Sequence, residues 1–351
     1  MKKILAIVLC LCMALAAVAC TTTPETPAEA EYKLGMGIVV KMDSTKTGNA
    51  QVDATVATVV TDAEGKIVLC RIDVAQNKMN VTDGAVEADK KFETKMELGD
   101  RYNMAAYGTP NVEGGTVKEW YVQTKAFEEY VIGKTAAEVK AIQLQEVNNH
   151  QIAVDEALLN AGCTMQITEF MAAVEKACND EQGMTFKTAA TFTLGVAAKS
   201  TAAESTAATA EAEGVVKMYT DFAASVVVDG KIIATLNDAI QPQIKINAAG
   251  ECTPVEFKGT KRELKEGYNM ATYGASMDNN GDGKVLEWYF QSEAFSKYVV
   301  GRTGAEVAAM QTKTLDNGYQ ISAEDELLNA GCTIQITGIC AVVAQSVTNA
   351  R

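Results

Sequence analysis

Histidine is almost missing from this 351-residue chain, and His150 is the only one. The matching place in the repeat described below holds no histidine, so Ser-His-Asp chemistry, Cys-His chemistry and histidine-rich metal sites are removed from both halves together. His150 lies in a polar stretch and reads as a solvated loop residue. No Walker loop and no dinucleotide fingerprint is present. Basic residues are outnumbered, 31 Lys and Arg against 45 Asp and Glu, for a formal charge of −14. Such a chain repels phosphate backbones, and nucleic acid is a poor partner for it. Long apolar runs are scarce as well: the run from Ile4 to Ala17 falls short of the ~20 residues of a spanning helix.

That run reads as an address. Lys2 and Lys3 precede it, and Ala17-Val18-Ala19-Cys20 closes it with small residues before a cysteine, the form of a bacterial secretory signal with a lipidation site. The ending resembles a lipobox. Residues 1–19 are therefore expected to be a lipoprotein signal peptide and Cys20 the lipidated residue. Residues 20–32, rich in Thr, Pro, Glu and Ala, are expected to be a tether that cannot build a core. The mature protein is then extracytoplasmic and held to the cell membrane through its lipid. Cys70, Cys163, Cys178, Cys252, Cys332 and Cys340 remain. An even count outside the cytoplasm can mean disulfides, yet the repeat matches Cys163 to Cys332 and leaves Cys70 and Cys252 unmatched, so free thiols are expected.

Internal repetition accounts for nearly all of the rest. Leu34-Gly35 matches Leu194-Gly195, Gly65-Lys66-Ile67 matches Gly230-Lys231-Ile232, and Asp73 and Gln76 match Asp238 and Gln241. Tyr102-Asn103-Met104-Ala105 matches Tyr268-Asn269-Met270-Ala271, and Glu119-Trp120-Tyr121 matches Glu287-Trp288-Tyr289. Leu158-Leu159-Asn160-Ala161-Gly162-Cys163-Thr164 recurs as Leu327-Leu328-Asn329-Ala330-Gly331-Cys332-Thr333. Two repeats, 33–180 and 187–348, follow, each about 150 residues and large enough to bury a core of its own.

Each repeat opens with strands. Val52 to Val60, a turn at Asp62 to Gly65 and Lys66 to Asp73 predict a hairpin, and Ala223 to Val228, Asp229-Gly230 and Lys231 to Leu236 predict another. The Ala/Thr/Glu run from Ser200 to Glu213 predicts a loop or frayed strand. The later part of each repeat has helical spacing: Trp120, Phe127 and Val131 before Gly133, and Trp288, Phe295 and Val299 before Gly301. Thr135 to Glu138 and Thr303 to Glu306 have the form of capping boxes. Thr168 is placed to cap a last helix carrying Phe170, Ala173, Val174 and Ala177. The fold class expected is α+β, two tandem copies of a unit in which a twisted antiparallel sheet is packed by helices.

No metal is expected. Asp278-Asn279-Asn280-Gly281-Asp282-Gly283 begins like a calcium loop, but Tyr289 stands where the bidentate Glu is needed, so a polar turn is the better reading. The tryptophans, Trp120 and Trp288, are paired by the repeat, as are Tyr102 with Tyr268 and Tyr107 with Tyr273. Such aromatics read first as core, and Tyr102 or Tyr268 would stack on a planar cofactor only if one sat nearby.

Ala161-Gly162-Cys163-Thr164 and its partner Ala330-Gly331-Cys332-Thr333 resemble the flavin-attachment motif of the FMN-binding domain family, Ser/Thr-Gly-Ala-Thr. The chain as a whole resembles the two-domain flavin-carrying lipoproteins of Gram-positive extracellular electron transfer, the PplA-like group. The resemblance implies FMN attached through a phosphoester to Thr164 and Thr333, with Gly162, Gly331, Cys163, Cys332, Tyr102 and Tyr268 around it. A following helix N-terminus would suit the phosphate. It further implies a redox carrier rather than an enzyme with its own substrate, a membrane electron donor such as a quinone-linked dehydrogenase, and a flavin transferase for maturation. The other reading is a duplicated ligand- or wall-binding lipoprotein without a redox role, with a cleft lined by Tyr102, Trp120 and their equivalents.

Overall fold

The computed structural model describes residues 29–272, 285–316 and 318–351. The signal peptide, Cys20, Tyr273 and the loop from Asp278 to Gly283 lie outside them. The chain begins with three long strands, β1 (Ala30–Lys41), β2 (Asn49–Thr61) and β3 (Ile67–Asn80). There follow α1 (Lys95–Leu98), α2 (Met104–Tyr107), α3 (Trp120–Tyr130) and α4 (Ala136–Lys140). A small hairpin, β4 (Leu144–Val147) and β5 (His150–Ala153), leads to α5 (Glu156–Ala161), α6 (Thr168–Cys178) and β6 (Met184–Thr188). The C-terminal half runs through β7 (Thr193–Thr201), β8 (Gly214–Lys217), β9 (Tyr219–Val228), β10 (Lys231–Ile240), β11 (Gln243–Ile246) and β12 (Cys252–Pro254). It continues with α7 (Lys261–Leu264), α8 (Trp288–Tyr298), α9 (Gly304–Ala308), β13 (Thr312–Thr314), β14 (Gln320–Ser322), α10 (Asp325–Asn329) and α11 (Thr337–Thr348). The class is α+β.

The pairings are antiparallel. The main sheet of the first half has the order β3-β2-β1-β6 and that of the second β10-β9-β7, beside a three-stranded β12-β11-β8 and the hairpins β4-β5 and β13-β14. Both expected hairpins are there and longer than read: β2 and β3 pair from Asn49↔Asn80 to Val60↔Leu69, and β9 and β10 turn at Asp229-Gly230. Two expectations change. Ala30 and Tyr32 belong to β1 rather than to a tether, because they pair with Thr188 and Phe186 and the rings of Tyr32 and Phe186 stack at 5.6 Å. The second change is only at the start of the Ala/Thr/Glu run: Ser200 and Thr201 belong to β7, while 202–213 is the expected loop, packed rather than free, with Ala202 fully buried and the Ala208 amide donating to Gly84 O at 2.9 Å.

Period-two alternation explains where the sheets' faces go. On β2, Val52, Ala54 and Val56 point to one cluster, while Ala57 and Val59 join a second with α3 and α6. The first cluster is shared: Met36, Ile38, Val52 and Val56 pack in it with Val196, Phe222, Ala224 and Val226 from the other sheet. The two sheets therefore make one core between them, and each half adds a second core beneath its helices. The paired Leu-Gly dipeptides belong to this layering. A Cβ on Gly35 would stand 2.0 Å from Ala177 O of α6, and one on Gly195 1.9 Å from Ser346 O of α11, so only glycine lets each helix lie that close.

The helix ends mix agreement and correction. Thr135 and Thr303 form the expected capping boxes with Glu138 and Glu306. Thr168 and Thr337 do not cap: they are the first residues inside α6 and α11, Ile167 and Ile336 hold the cap positions, and the Thr168 hydroxyl donates to Glu169 Oε2 instead. His150 is exposed in β5 at the end of a tight turn rather than in a loop.

Candidate functional site

Each half holds a cleft where one end of its sheet emerges from under the helices. On β2 the side chains that continue the helix-facing row past Ala57 are Thr55 and Asp53; on β9, past Ala223, they are Asp221 and Tyr219. These residues floor clefts of about 530 Å³ in the first half and about 580 Å³ in the second. Three hydrogen-bonded devices, each present twice, build the walls.

The first device is a buried aspartate. Asp73 accepts the amides of Val74 and Met96, and Asp238 those of Ala239 and Arg262, which pins the short helices α1 and α7 to the strands. Burial pushes both carboxyls up to about 6, against partial compensation by these bonds. The second is the glutamate before each tryptophan: Glu119 accepts from the amides of Met104 and Ala105, and Glu287 from those of Met270 and Ala271. The repeated Glu-Trp-Tyr and Tyr-Asn-Met-Ala stretches are thus two sides of one clamp. The third is a glutamine that sequence reading did not single out. Gln123 donates to Lys118 O and accepts from the Thr164 amide at 2.9 Å; Gln291 donates to Leu286 O and accepts from the Thr333 amide at 2.8 Å. Its signal was present in Trp120-Tyr121-Val122-Gln123 and Trp288-Tyr289-Phe290-Gln291.

The motif residues separate in this frame. Thr164 is half-buried and lines the first cleft, its hydroxyl 3.4 Å from Gln123 Oε1. Thr333 is 4% exposed and does not border the second cleft, although Ile334 and Gln335 beside it do. Gly162 takes a left-handed turn after α5 with the Lys118 side chain above it, where a Cβ would meet Nζ at 2.3 Å. Above Gly331 stands Leu286 instead. Cys163 and Cys332 are fully buried among the helical cores and border neither cleft, so they do not stand beside the threonines' open side as expected. Burial pushes both thiols up to about 12, and the six thiols of the described residues are free. Tyr102 packs against the helical core and lies outside the first cleft, whereas Tyr268 lines the second. Trp120 and Trp288 are buried, as read, yet each gives part of its ring to a cleft wall.

The linings differ in charge. Across the first cleft Lys41 reaches Glu169 at 2.7 Å. Burial opposes ionisation of Glu169, but hydrogen bonds from Gln166, Lys41 and Thr168 outweigh it and hold the carboxyl at about 2. Lys95, half-buried, sits 4.9 Å from the ring centre of Tyr102 and 5.6 Å from that of Trp120. In the second cleft the same place on the short helix is Lys261, only 7% exposed and close to the rings of Tyr219, Tyr268 and Trp288. Among the described residues no group of three or more His, Cys, Asp and Glu could hold a metal ion, and no helix is long and apolar enough to cross a membrane.

A stretch of 100 residues is 40% identical to the chlorophenol reductase of Desulfitobacterium hafniense, covering 24% of this chain and 28% of the reductase. No family model matches the chain. No solved structure matches it either.

Proposed function

We propose that this protein is a lipid-anchored, extracytoplasmic electron carrier built of two tandem copies of one unit, with FMN attached covalently to Thr164 and Thr333. The observation that carries the reading is the setting of Thr164: a half-buried hydroxyl on the wall of a cleft of about 530 Å³, two residues after a glycine in a left-handed turn that the Lys118 side chain overlies. That volume suits a small ligand or cofactor. Lys41 and Lys95 line the same cleft beside Asp43, Asp53 and Glu169; Lys41 is taken up by Glu169, so Lys95, with Lys118 over Gly162, is the cation left for a phosphate. Gln123 fixes the Thr164 backbone, and Trp120 lines the same cleft. Bound there, the flavin would supply one- and two-electron redox chemistry. The protein's part is to hold the phosphoester hydroxyl in place and to keep the attached group on one wall.

Around Thr333 the fit is poorer, since Leu286 replaces Lys118 and the threonine is buried, so Thr164 is the principal site and Thr333 the secondary one. The partial likeness to a protein named a reductase points toward redox work. An Asp221- and Lys261-bearing aromatic cleft in the second half favours a second reading, a ligand-binding module, for that half.

Co-production with a flavin transferase tests the proposal. The intact mass should gain two FMN adducts, Thr164→Val should lose the larger share, and the double variant with Thr333→Val should carry none. Thr→Val keeps the shape and removes a hydroxyl worth ~1 kcal/mol in hydrogen bonding, and circular dichroism checks that each variant folds. An unmodified wild-type mass would end the flavin reading.

A further inference from the structure

The second cleft contains an unusual cation. Lys261 Nζ lies 4.9 Å from the ring centres of Tyr219 and Tyr268 and 5.2 Å from that of Trp288. Its hydrogen bond is a long one, 3.4 Å to Tyr219 Oη, and that hydroxyl in turn donates to Asp221 Oδ1 at 2.8 Å. Among the described residues no carboxylate stands within 4 Å of the amine, so two of its three N–H donors are left to face the cleft. A nine-tenths buried ammonium with unused donors calls for an acceptor. The cleft around it is walled by Tyr268, Trp288, Tyr319, Met270 and Ile334. Its floor is kept open by Gly338, which stands where the first cleft has Glu169; a Cβ there would meet Asp221 Oδ2 at 2.4 Å.

Charge narrows the class of ligand. Asp221 and Asp238, both buried, lie near Lys261 and act on it electrostatically, as does Glu204 at the rim. Two buried carboxylates against one ammonium disfavour a further anion, so a phosphate or carboxylate is a poor occupant. An organic cation is excluded by the cage itself, because the protein's own ammonium already occupies the ring faces. A flat, uncharged molecule with an acceptor oxygen meets the spare donors and packs on the part of the wall the ammonium leaves open, Met270, Tyr319 and Ile334.

We infer that the cleft of the C-terminal half binds a diffusible, uncharged, planar aromatic carbonyl compound, of the aromatic ketone or quinone class, with Lys261 donating to its oxygen. Burial lowers the Lys261 amine to about 8, with Asp221 and Asp238 opposing the shift, so it remains a donor at neutral pH. The inference stands apart from covalent flavin at Thr164, and flavin-free protein tests it without reference to that attachment.

Calorimetric titration of the flavin-free protein with 2-acetonaphthone, naphthalene and 2-naphthoate at pH 7 decides the matter. The ketone should bind about tenfold or more tightly than either comparator, the difference expected of one charge-assisted hydrogen bond. Lys261→Met should remove that advantage while leaving naphthalene binding unchanged. Equal affinity for ketone and naphthalene, tighter binding of the naphthoate, no binding at all, or an advantage that survives Lys261→Met would each overturn the inference. The wild-type comparison of three ligands needs no variant to fold.

Discussion

At the first cleft Lys41 and Glu169 close an ion pair across the opening; at the second, the matching positions are Thr201 and Gly338, and the charge has moved inward to Lys261 and Asp221. Asp53 and Thr55 of β2 correspond to Tyr219 and Asp221 of β9. Yet the bonds that hold the walls are the same in both: Asp73 and Asp238, Glu119 and Glu287, Gln123 and Gln291 bind equivalent backbone amides. The difference teaches where the two halves are free to vary. Side chains that satisfy buried backbone groups are fixed by the cost of leaving those groups unpaired, while side chains that only face the cleft set its chemistry.

The largest expected effect breaks the likeness at the seam between the halves. Arg262 stands where the first half has Met96, and its guanidinium, 7% exposed, meets the Asp180 carboxylate at 3.1 Å. Asp180→Ala leaves that charge buried and unpaired and should cost about 3–5 kcal/mol in chemical denaturation. The residue in the matching position, Asn349, carries no charge: it donates to Val196 O and accepts from Gln345 Nε2, each at 2.9 Å; Asn349→Ala should cost about 1–2 kcal/mol.

A smaller effect sharpens the contrast between the clefts. Burial raises Asp221 from 3.8 to about 6. The folded state then holds more protons than the unfolded between those values, so stability falls as pH rises through that window. Asp221→Asn should therefore stabilise the protein by about 2–3 kcal/mol at pH 8 and make little difference near pH 4, read from urea midpoints at the two pH values. The smallest effect tests the likeness itself: Thr135→Ala and Thr303→Ala each remove a capping box and should lower stability by about 1 kcal/mol, equally in both halves.

What could be read in the residues was the local structure. β-branched runs marked β2 and β9, helical spacing marked α3 and α8, and Thr-x-x-Glu marked α4 and α9. Those signals are carried by neighbours in sequence. The small hairpin of β4 and β5 went unread because four-residue strands carry too little pattern, and Thr168 was misplaced by one position because a threonine can begin a helix from either side of the cap. The site was half legible. Thr164 and Gly162 stand at a cleft, but Cys163 and Cys332 turned out to be core, since a stretch repeated twice gives no sign of which of its side chains face outward. Lys261 drew no notice for the same reason Lys95 did not: its burial depends on Tyr219, which comes 42 residues earlier.

The core shared by the two sheets also bears on how the chain is made. The inner face of β1 to β3, with Met36, Val52 and Val56, is complete once Asn80 has been synthesised, but its cover from β7, β9 and β10 is not complete until Ile240. At ~5–20 residues per second the gap lasts on the order of ten seconds. For that interval the nascent chain carries an apolar sheet surface with nothing against it, which is the kind of surface that holding chaperones recognise and that neighbouring chains on a polysome adhere to. Slowing synthesis between residues 80 and 240 lengthens that exposure.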